Sequence, residues 1–382
     1  MKDTIMDYVH WRGDISFQIQ PYNSIDYLIL SNLAYVHFDG ITFQPSLTLN
    51  EAYEQYINSQ YVFEDESHSL FEKVSHAPRY QNIRILSYMN DVNPELIKQF
   101  AVVTFLLENQ TLFVAFRGTD ESLIGWHEDF LMLCETIIPS QTSAVNYLNE
   151  IGQFKYQSTL KQSLQNQYLG SLTQRLRKHF QYKKQGLPIL LGGHSKGGNL
   201  AMYAACFCDE NLSQRILKVY NFDGPGFQED MLASKNYQNM LPRIISYIPH
   251  YSFFGIVLGH EENYHVIQSH NEGMLQHNSF SWHVTKDDFV NDELSYESVQ
   301  FAIKVILFLE KMTIEEKRLF VETMFVLFDS LNLHTFHELS HITYKQILAA
   351  IKELTLLDNK MRKMLIEVLH MLWLEAKKTK KG

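Results

Sequence analysis

The sequence predicts an α/β fold: a mainly parallel sheet with flanking helices, followed by a C-terminal helical extension. Strand-like runs alternate with helical segments over residues 101–269, a pattern typical of βαβ units with right-handed crossovers. One strand passes into a helix through the glycine-rich turn 193–198. After residue 296 only helical patterns remain. We therefore expect an α/β domain over residues 1–291 and a helical domain over residues 292–382.

The N-terminal part of the chain predicts helices and a hairpin. Apolar residues recur with a helical period over residues 24–36, directly after the capping residue Asn23. Residues 53–74 are polar and predict a further helical region. Two β-rich runs, 101–107 and 111–116, are separated by a short polar turn and predict a hairpin.

The centre of the chain supplies the rest of the predicted sheet. Apolar runs predict four further strands, at residues 187–192, 217–222, 243–248 and 264–269. A helix over residues 171–181 is expected before the first of them. Residues 121–170 either form a lid or pack as a crossover helix, and the sequence leaves both interpretations open.

The C-terminal part of the chain, residues 296–378, predicts helices only. Its first apolar stripe consists of Phe301, Val305, Phe308 and Leu309. A capping box at Thr313 and Glu316 starts a second helix, and two more are expected over residues 347–356 and 361–373. Such stripes more often belong to a core than to a ligand pocket. We expect these helices to pack on the α/β domain or to form a homo-oligomer surface.

The composition is that of a globular protein without a nucleic-acid partner. The chain has 382 residues, 45% of them hydrophobic, and can fill a large core. Its net charge of -10 opposes binding to a phosphate backbone. Three cysteines cannot all pair, so we expect reduced thiols and a cytoplasmic location. Neither a signal peptide nor a membrane span is predicted.

The most informative motif is G-H-S-K-G at residues 193–197. A predicted strand precedes it and a helix-favouring stretch follows it, which is the context of a nucleophile elbow. The hydroxyl of Ser195 would then lie at a helix N-terminus, whose dipole favours developing negative charge. Ser195 is therefore our candidate nucleophile, and the alternative is a tight turn in which it only caps the helix.

A second motif, R-G-T-D at residues 117–120, follows the predicted strand 111–116. In a serine hydrolase, the loop after such a strand supplies one oxyanion-hole amide, and the residue after the nucleophile supplies the other. Thr119 and Lys196 are the candidate donors. Taken alone, the first motif is equally consistent with an ordinary glycine turn.

Together these motifs resemble the class 3, fungal-type triacylglycerol lipases, in the segments A-F-R-G-T and G-H-S-x-G-G. The resemblance implies an α/β-hydrolase fold, a Ser-Asp-His triad and an oxyanion residue directly after the Arg-Gly pair. The chain is also similar to a bacterial family of uncharacterised lipase-like proteins over about residues 5–290. The segments that carry this second resemblance are 11–14, 116–120, 126–130, 193–199, 222–226 and 276–277.

The candidate base is His277. The expected chain order is serine, acid, histidine, and His277 follows the last predicted strand in a loop position. It also matches the Gln-His pair of the lipase-like family. The chain has 17 histidines, and the alternatives are His260, His265, His270 and His283. His194, next to the serine, is expected to be a packing residue.

The candidate acid is Asp223, which follows the strand after the nucleophile strand. The lipase resemblance places the acid one strand later, but residues 247–252 contain no carboxylate. Glu261 and Glu262 are the alternative acids. Asp223 is also a residue type that commonly caps turns, and the G-P-G turn follows it.

These residues favour a serine hydrolase that cleaves small-molecule or lipid carboxylic esters through an acyl-enzyme on Ser195. No part of this chemistry needs a metal or a cofactor. An acyltransferase is an alternative, since an alcohol and water compete for the same acyl-enzyme. A second alternative is a non-catalytic relative that keeps the lipase fold and binds a lipid or protein partner.

Overall fold

An eight-stranded mixed sheet forms the centre of the computed structural model, which describes residues 3–43, 46–120, 122–152, 186–331, 343–353 and 359–378. The strands lie side by side in chain order. The first four pair antiparallel, and β4 to β8 pair parallel. The strands are β1 Leu47–Thr48, β2 Arg84–Asn93, β3 Lys98–Leu106, β4 Leu112–Phe116, β5 Ile189–His194, β6 Ile216–Phe222, β7 Ile244–Pro249 and β8 Tyr264–Ile267.

Helices precede, connect and follow these strands. In the part of the chain that the structure describes, the helices up to residue 240 are α1 Ile5–Arg12, α2 Ser24–Asn32, α3 Leu49–Tyr56, α4 Glu66–His76, α5 Leu123–Leu131, α6 Pro139–Gly152, α7 Lys196–Phe207, α8 Glu210–Ser213, α9 Glu229–Leu232 and α10 Lys235–Met240. The C-terminal region adds α11 Tyr296–Leu309, α12 Ile314–Ser330, α13 Tyr344–Glu353 and α14 Asn359–Lys378. The capping box of α12 is present as predicted: the Thr313 hydroxyl accepts from the Glu316 amide.

Two hydrophobic cores lie on opposite faces of the sheet, because successive side chains of a strand point to opposite sides. On β4, Phe113 and Ala115 pack with the N-terminal helices. Their neighbours Val114 and Phe116 pack with α6 and α7. The core on the side of α6 and α7 also includes side chains of α11, α12 and α14, among them Phe320.

The predicted hairpin and the four later strands are confirmed, with ends displaced by up to three residues. The predicted helix 24–36 ends earlier, since residues Leu33–Tyr35 form a 3₁₀ turn. Residues 53–74 contain two helices and not one. The long strand β2 was not predicted because polar residues interrupt its apolar pattern. The helix expected at 171–181 lies outside the described residues.

The C-terminal helices contact the sheet domain through specific pairs. The His127 ring stacks on Phe325 of α12, with a centroid distance of 4.2 Å. A guanidinium nitrogen of Arg318 lies 2.7 Å from a carboxylate oxygen of Glu135. The expectation that these helices pack on the α/β region therefore holds for this part of the chain. The domain boundary at residue 291 stays a prediction.

All three cysteines are free and buried. Burial raises the pKa of Cys134 to about 11 and that of Cys208 to about 12, and it raises the pKa of Cys206 further still. Within the described ranges, no helix is both long enough and apolar enough to cross a bilayer.

A buried ion pair fixes the N-terminal helices to each other. Asp26 on α2 and Arg79 after α4 are both fully buried. Two hydrogen bonds join them, at 2.6 and 2.9 Å, and the Tyr80 hydroxyl donates to the same carboxylate at 2.6 Å. The guanidinium also donates to the backbone carbonyl of Ile15. Because every charge is paired, this cluster tolerates burial that a lone charge would not.

Replacing Asp26 with Asn should lower the free energy of unfolding by about 3–5 kcal/mol, because the Arg79 guanidinium would stay buried without its counter-charge. Urea denaturation followed by circular dichroism measures this loss. Glu54→Gln, the same type of change at an exposed site, should stay within about 0.5 kcal/mol of wild type. A loss below about 1 kcal/mol at Asp26 would contradict the role given to the pair.

Candidate active site

The five parallel strands β4 to β8 end at one edge of the sheet, and the candidate residues follow four of them. Phe116 at the end of β4 pairs with Gly193 on β5, and His194 pairs with Phe222 at the end of β6. The carboxyl edge of an open α/β sheet is where ligands usually bind. Ser195 therefore lies between the loop after β4 and the loop after β6.

The backbone of Ser195 has an unusual conformation, with φ +57° and ψ -135°. Its amide donates to the Phe222 carbonyl at 2.9 Å, and its carbonyl accepts from the Gly198 amide at 2.8 Å. A side chain at Gly197 would place its Cβ 2.1 Å from the Phe116 carbonyl oxygen. Glycine is thus required where the helix turns back over β4, and the serine is held in a conformation that few residues adopt.

The loop after β4 lies against the serine. A Cβ at Gly118 would be 3.1 Å from the Ser195 Cβ and 2.4 Å from the His194 carbonyl oxygen. This places the segment that contains Thr119 on the same side of the sheet as Ser195. The hydroxyl of Thr119 donates to the Asp129 carboxylate at 2.5 Å, and this hydrogen bond fixes the rotamer of the Thr119 side chain.

The structure brings Asp223 and His277 into contact. Asp223 Oδ2 lies 2.6 Å from His277 Nδ1, and the carboxylate is fully buried. Like Ser195, Asp223 has a positive φ, of 54°. A carboxylate can only accept, so His277 Nδ1 donates to Asp223, and in the neutral ring the lone pair then lies on Nε2. This is the tautomer that a general base would need.

Ser252 follows β7, where the lipase resemblance had placed an acid. Its hydroxyl donates to Asp223 Oδ1 at 2.5 Å, and the Gly255 amide donates to the same oxygen at 3.1 Å. The loop after β7, which lacks a carboxylate of its own, therefore donates two hydrogen bonds to the carboxylate that follows β6. No sequence signal pointed to Ser252.

The two alternative acids contact other groups. Glu261 accepts from the Gln238 side chain, at 2.5 Å. Glu262 accepts from the hydroxyls of Tyr237 and Ser246 and lies 2.8 Å from His260 Nδ1. Burial raises the pKa of Glu262, but these partners outweigh burial and lower it to about 2. Neither glutamate contacts His277 in the described structure, and His260 is engaged by Glu262.

The candidate nucleophile and the candidate base follow strands of the same sheet edge. Among the described residues, no hydrogen bond joins the Ser195 hydroxyl to the His277 ring. The ring of Phe254 packs on His277, with centroids 4.3 Å apart. In enzymes without bound substrate, the hydrogen bond between a nucleophile and its base is often long or poorly aligned, and it tightens in the complex.

His194 does more than the packing that we expected from the sequence. Its Nε2 donates to the His277 carbonyl at 2.7 Å, and Tyr35 is hydrogen-bonded to its Nδ1 at 3.1 Å. Burial and the neighbouring His277 lower the pKa of His194 to about 3, so the ring stays neutral. The residue before the serine therefore anchors the loop that bears the candidate base.

The Lys196 side chain is buried, which the sequence did not indicate. Its ammonium group donates to Glu128 at 3.1 Å and to Gln99 at 3.2 Å, and it lies 3.6 Å from Asp129. Glu128 also accepts from the backbone amide of Gln99 and from both the backbone amide and the hydroxyl of Ser140. Helix α5 is thus fixed to the sheet, which favours the packed interpretation over the lid for this part of residues 121–170.

An apolar cleft of about 90 Å³ leads from Ser195. Its lining includes the hydroxyl-bearing Ser195 and the charged residues Lys196 and Asp129. Burial raises the pKa of Asp129 to about 6, although Lys196 and the Thr119 hydroxyl oppose the shift. The described residues contain no group of histidines, cysteines and carboxylates that is arranged to hold a metal ion.

A mixed sheet with flanking helices, a strained serine elbow and a buried Asp-His pair at the same edge define a lipase-like α/β-hydrolase architecture. A family model supports this class independently of the geometry. It matches residues 74–326, and the chain belongs to the Mbeg1-like family.

Solved structures that are similar to this chain include several fungal lipases. Lipase II from Rhizopus niveus is 10% identical, with 72% of this chain and 89% of that chain covered and a TM-score of 0.35. A mutant form of the Penicillium cyclopium protein MDLA is 11% identical with the same coverage and a TM-score of 0.38. The Rhizomucor miehei lipase propeptide complex is 11% identical over 63% of this chain and 67% of that chain, with a TM-score of 0.35. No curated protein matches the sequence.

The raised pKa of Asp129 predicts a pH-dependent stability. Between its ordinary pKa of 3.8 and about 6, the folded protein binds more protons than the unfolded chain, so this group destabilises the fold as pH rises. Asp129→Asn removes that charge and keeps an acceptor for Thr119. Relative to wild type, the free energy of unfolding of the variant should rise by about 1–3 kcal/mol between about pH 4 and about pH 7.

Urea denaturation at each pH measures this difference. Asp287→Asn is the matched control, because Asp287 is exposed and its replacement should leave the pH profile parallel to that of wild type. A profile of Asp129→Asn that is also parallel to wild type would show that the carboxylate ionises without cost.

Proposed function

We propose that this protein is a serine hydrolase that cleaves carboxylic esters through an acyl-enzyme on Ser195. The observation that supports this best is the 2.6 Å hydrogen bond between His277 and the buried Asp223, at the same sheet edge as the strained serine. In the neutral tautomer that this hydrogen bond selects, Nε2 is the nitrogen left to act as a base.

In the proposed reaction, His277 Nε2 removes the proton of Ser195 while the serine oxygen attacks the ester carbonyl carbon. The histidine then gives that proton to the alkoxide that leaves. Water then attacks the acyl carbon while His277 Nε2 takes its proton. The bond to Ser195 breaks, His277 returns that proton to the serine oxygen, and a carboxylic acid is released. Asp223 remains ionised throughout and stabilises the imidazolium.

The backbone amides of Thr119 and Lys196 are the proposed donors to the oxyanion. The proximity of Gly118 to Ser195 supports the first, and the position of Lys196 at the start of α7 supports the second. The Lys196 side chain does not serve this purpose, because Glu128 and Gln99 bind it on the buried side. The buried, unpaired thiols suit a cytoplasmic enzyme, which is the location that we propose.

One observation favours a second candidate, a lipase-fold protein without catalysis: Ser195 and His277 share no hydrogen bond in the described structure. A fluorophosphonate probe separates the two candidates, because only an activated serine reacts with it. Labelling of the wild-type protein supports the enzyme. Absence of labelling, together with absence of ester hydrolysis, would leave the non-catalytic candidate.

Ser195→Ala should abolish both fluorophosphonate labelling and the hydrolysis of p-nitrophenyl esters, because no other group can form the acyl-enzyme. The melting temperature should be nearly unchanged, since the side chain makes no hydrogen bond that the fold needs. Activity above a few per cent of wild type would exclude Ser195 as the nucleophile.

Asp223→Asn should lower kcat by about 10⁴-fold, since the histidine would lose its preferred tautomer while the nucleophile and the oxyanion donors remain. The loss should be smaller than that of Ser195→Ala. Steady-state kinetics with p-nitrophenyl butanoate measures both, with the exposed Asp230→Asn as control. If Asp223→Asn stays within tenfold of wild type, the carboxylate has only a structural role.

A further inference from the structure

The far wall of the cleft at Ser195 comes from helices that follow the candidate histidine in the chain. The sheet domain contributes Trp126, Phe130, Phe253 and Phe254, together with smaller apolar residues. Helices α11, α12 and α14 contribute Phe301, Val305, Phe308, Leu309, Phe320 and Val368. The C-terminal region is therefore a structural part of the cleft, and no motif of the candidate triad lies in it.

These helices are held against the cleft by contacts on both of its sides. The ring of Phe301 packs on Phe253, with centroids 5.1 Å apart. The ring of Phe325 packs on Phe130 at 5.8 Å, and Phe308 packs on Phe320 at 5.9 Å. The wall is formed by side chains in mutual contact, so its position relative to Ser195 is defined.

The chemistry of the lining changes along the cleft. Its charged lining residues are Lys196, directly after Ser195, and Asp129, which lies 3.6 Å from the Lys196 ammonium group. Every lining residue from the C-terminal helices is apolar. A polar or charged acyl group would lose its hydration there without gaining a partner. The cleft volume of about 90 Å³ is smaller than the roughly 150 Å³ cavity that holds benzene in another protein.

We propose that the C-terminal helices form the distal half of an acyl-binding site and limit the acyl chain to a short, unbranched, apolar group. This inference rests on the proposed function, since it assigns the substrate class of the same site. Each methylene that the cleft buries should raise kcat/KM by about fourfold. The increase should stop where the chain reaches Phe308 and Phe320.

The test compares two substitutions on one helix. Val305→Phe places a ring inside the cleft, whereas Leu307→Phe makes a similar change two residues away, at a side chain that is 53% exposed. For p-nitrophenyl esters from acetate to dodecanoate, wild type should prefer butanoate or hexanoate. Val305→Phe should lower the ratio of hexanoate to acetate kcat/KM at least tenfold, and Leu307→Phe should leave that ratio as in wild type.

A second measurement does not depend on catalysis. Trp126 lines the cleft, so a bound alkyl bromide should quench its fluorescence. Methyl 6-bromohexanoate should quench Ser195→Ala saturably, and the added Val305→Phe change should remove the effect. The added Trp126→Phe change identifies which tryptophan reports.

The outcomes separate the two proposals. If wild type hydrolyses no ester and takes up no fluorophosphonate while the bromide still binds, the proposed function fails and the acyl site stands. If wild type is active but Val305→Phe and Leu307→Phe give the same chain-length profile and the same quenching, the inference is overturned and the proposed function stands.

Discussion

The arrangement of this site depends on one strained turn. Ser195 has a positive φ, a conformation that costs about 1–3 kcal/mol for a non-glycine residue, and the surrounding structure must hold it there. Two contacts maintain this conformation: the hydrogen bond from the Ser195 amide to the Phe222 carbonyl on β6, and the close approach of Gly197 to Phe116 on β4. The same two strands lead into Thr119 and Asp223. The contacts that strain the serine therefore also place its partners one strand spacing away, about 5 Å on each side.

A second chain of contacts surrounds Asp223, the candidate acid. Asn221 at the end of β6 accepts from the Gly224 amide and donates to the Ser246 hydroxyl, which donates in turn to Glu262. Asp223 lies inside this chain with its own positive φ. Glu262, which the sequence offered as an alternative acid, is thus linked through Ser246 and Asn221 to the turn of Asp223. Because the pKa of Glu262 is lowered to about 2, its carboxylate is ionised at neutral pH and continues to accept the hydrogen bond from Ser246.

The sequence predicted what depends on local pattern. The apolar runs of β3 to β7 and the glycines around Ser195 determine strands and a turn without reference to the rest of the chain. Asp223 and His277 were selected because they follow strands, and the structure places their side chains in contact. Contacts between distant residues had no local signal: His194 bonds the loop of His277, 83 residues away. The burial of Lys196 was also hidden, because lysine is ordinarily exposed and only the fold brings Glu128 to it.

Because its three cysteines are buried, the native protein should not react with thiol-specific reagents. A maleimide reacts with thiolate, and burial keeps Cys134, Cys206 and Cys208 both inaccessible and protonated near neutral pH. Two new cysteines at exposed positions, one replacing Leu307 of α11 and one replacing Glu54 of α3, would then be the only thiols that take up dyes. The distance between the two dyes reports the separation of the C-terminal helices from the sheet domain in solution, without removal of any residue of the natural core.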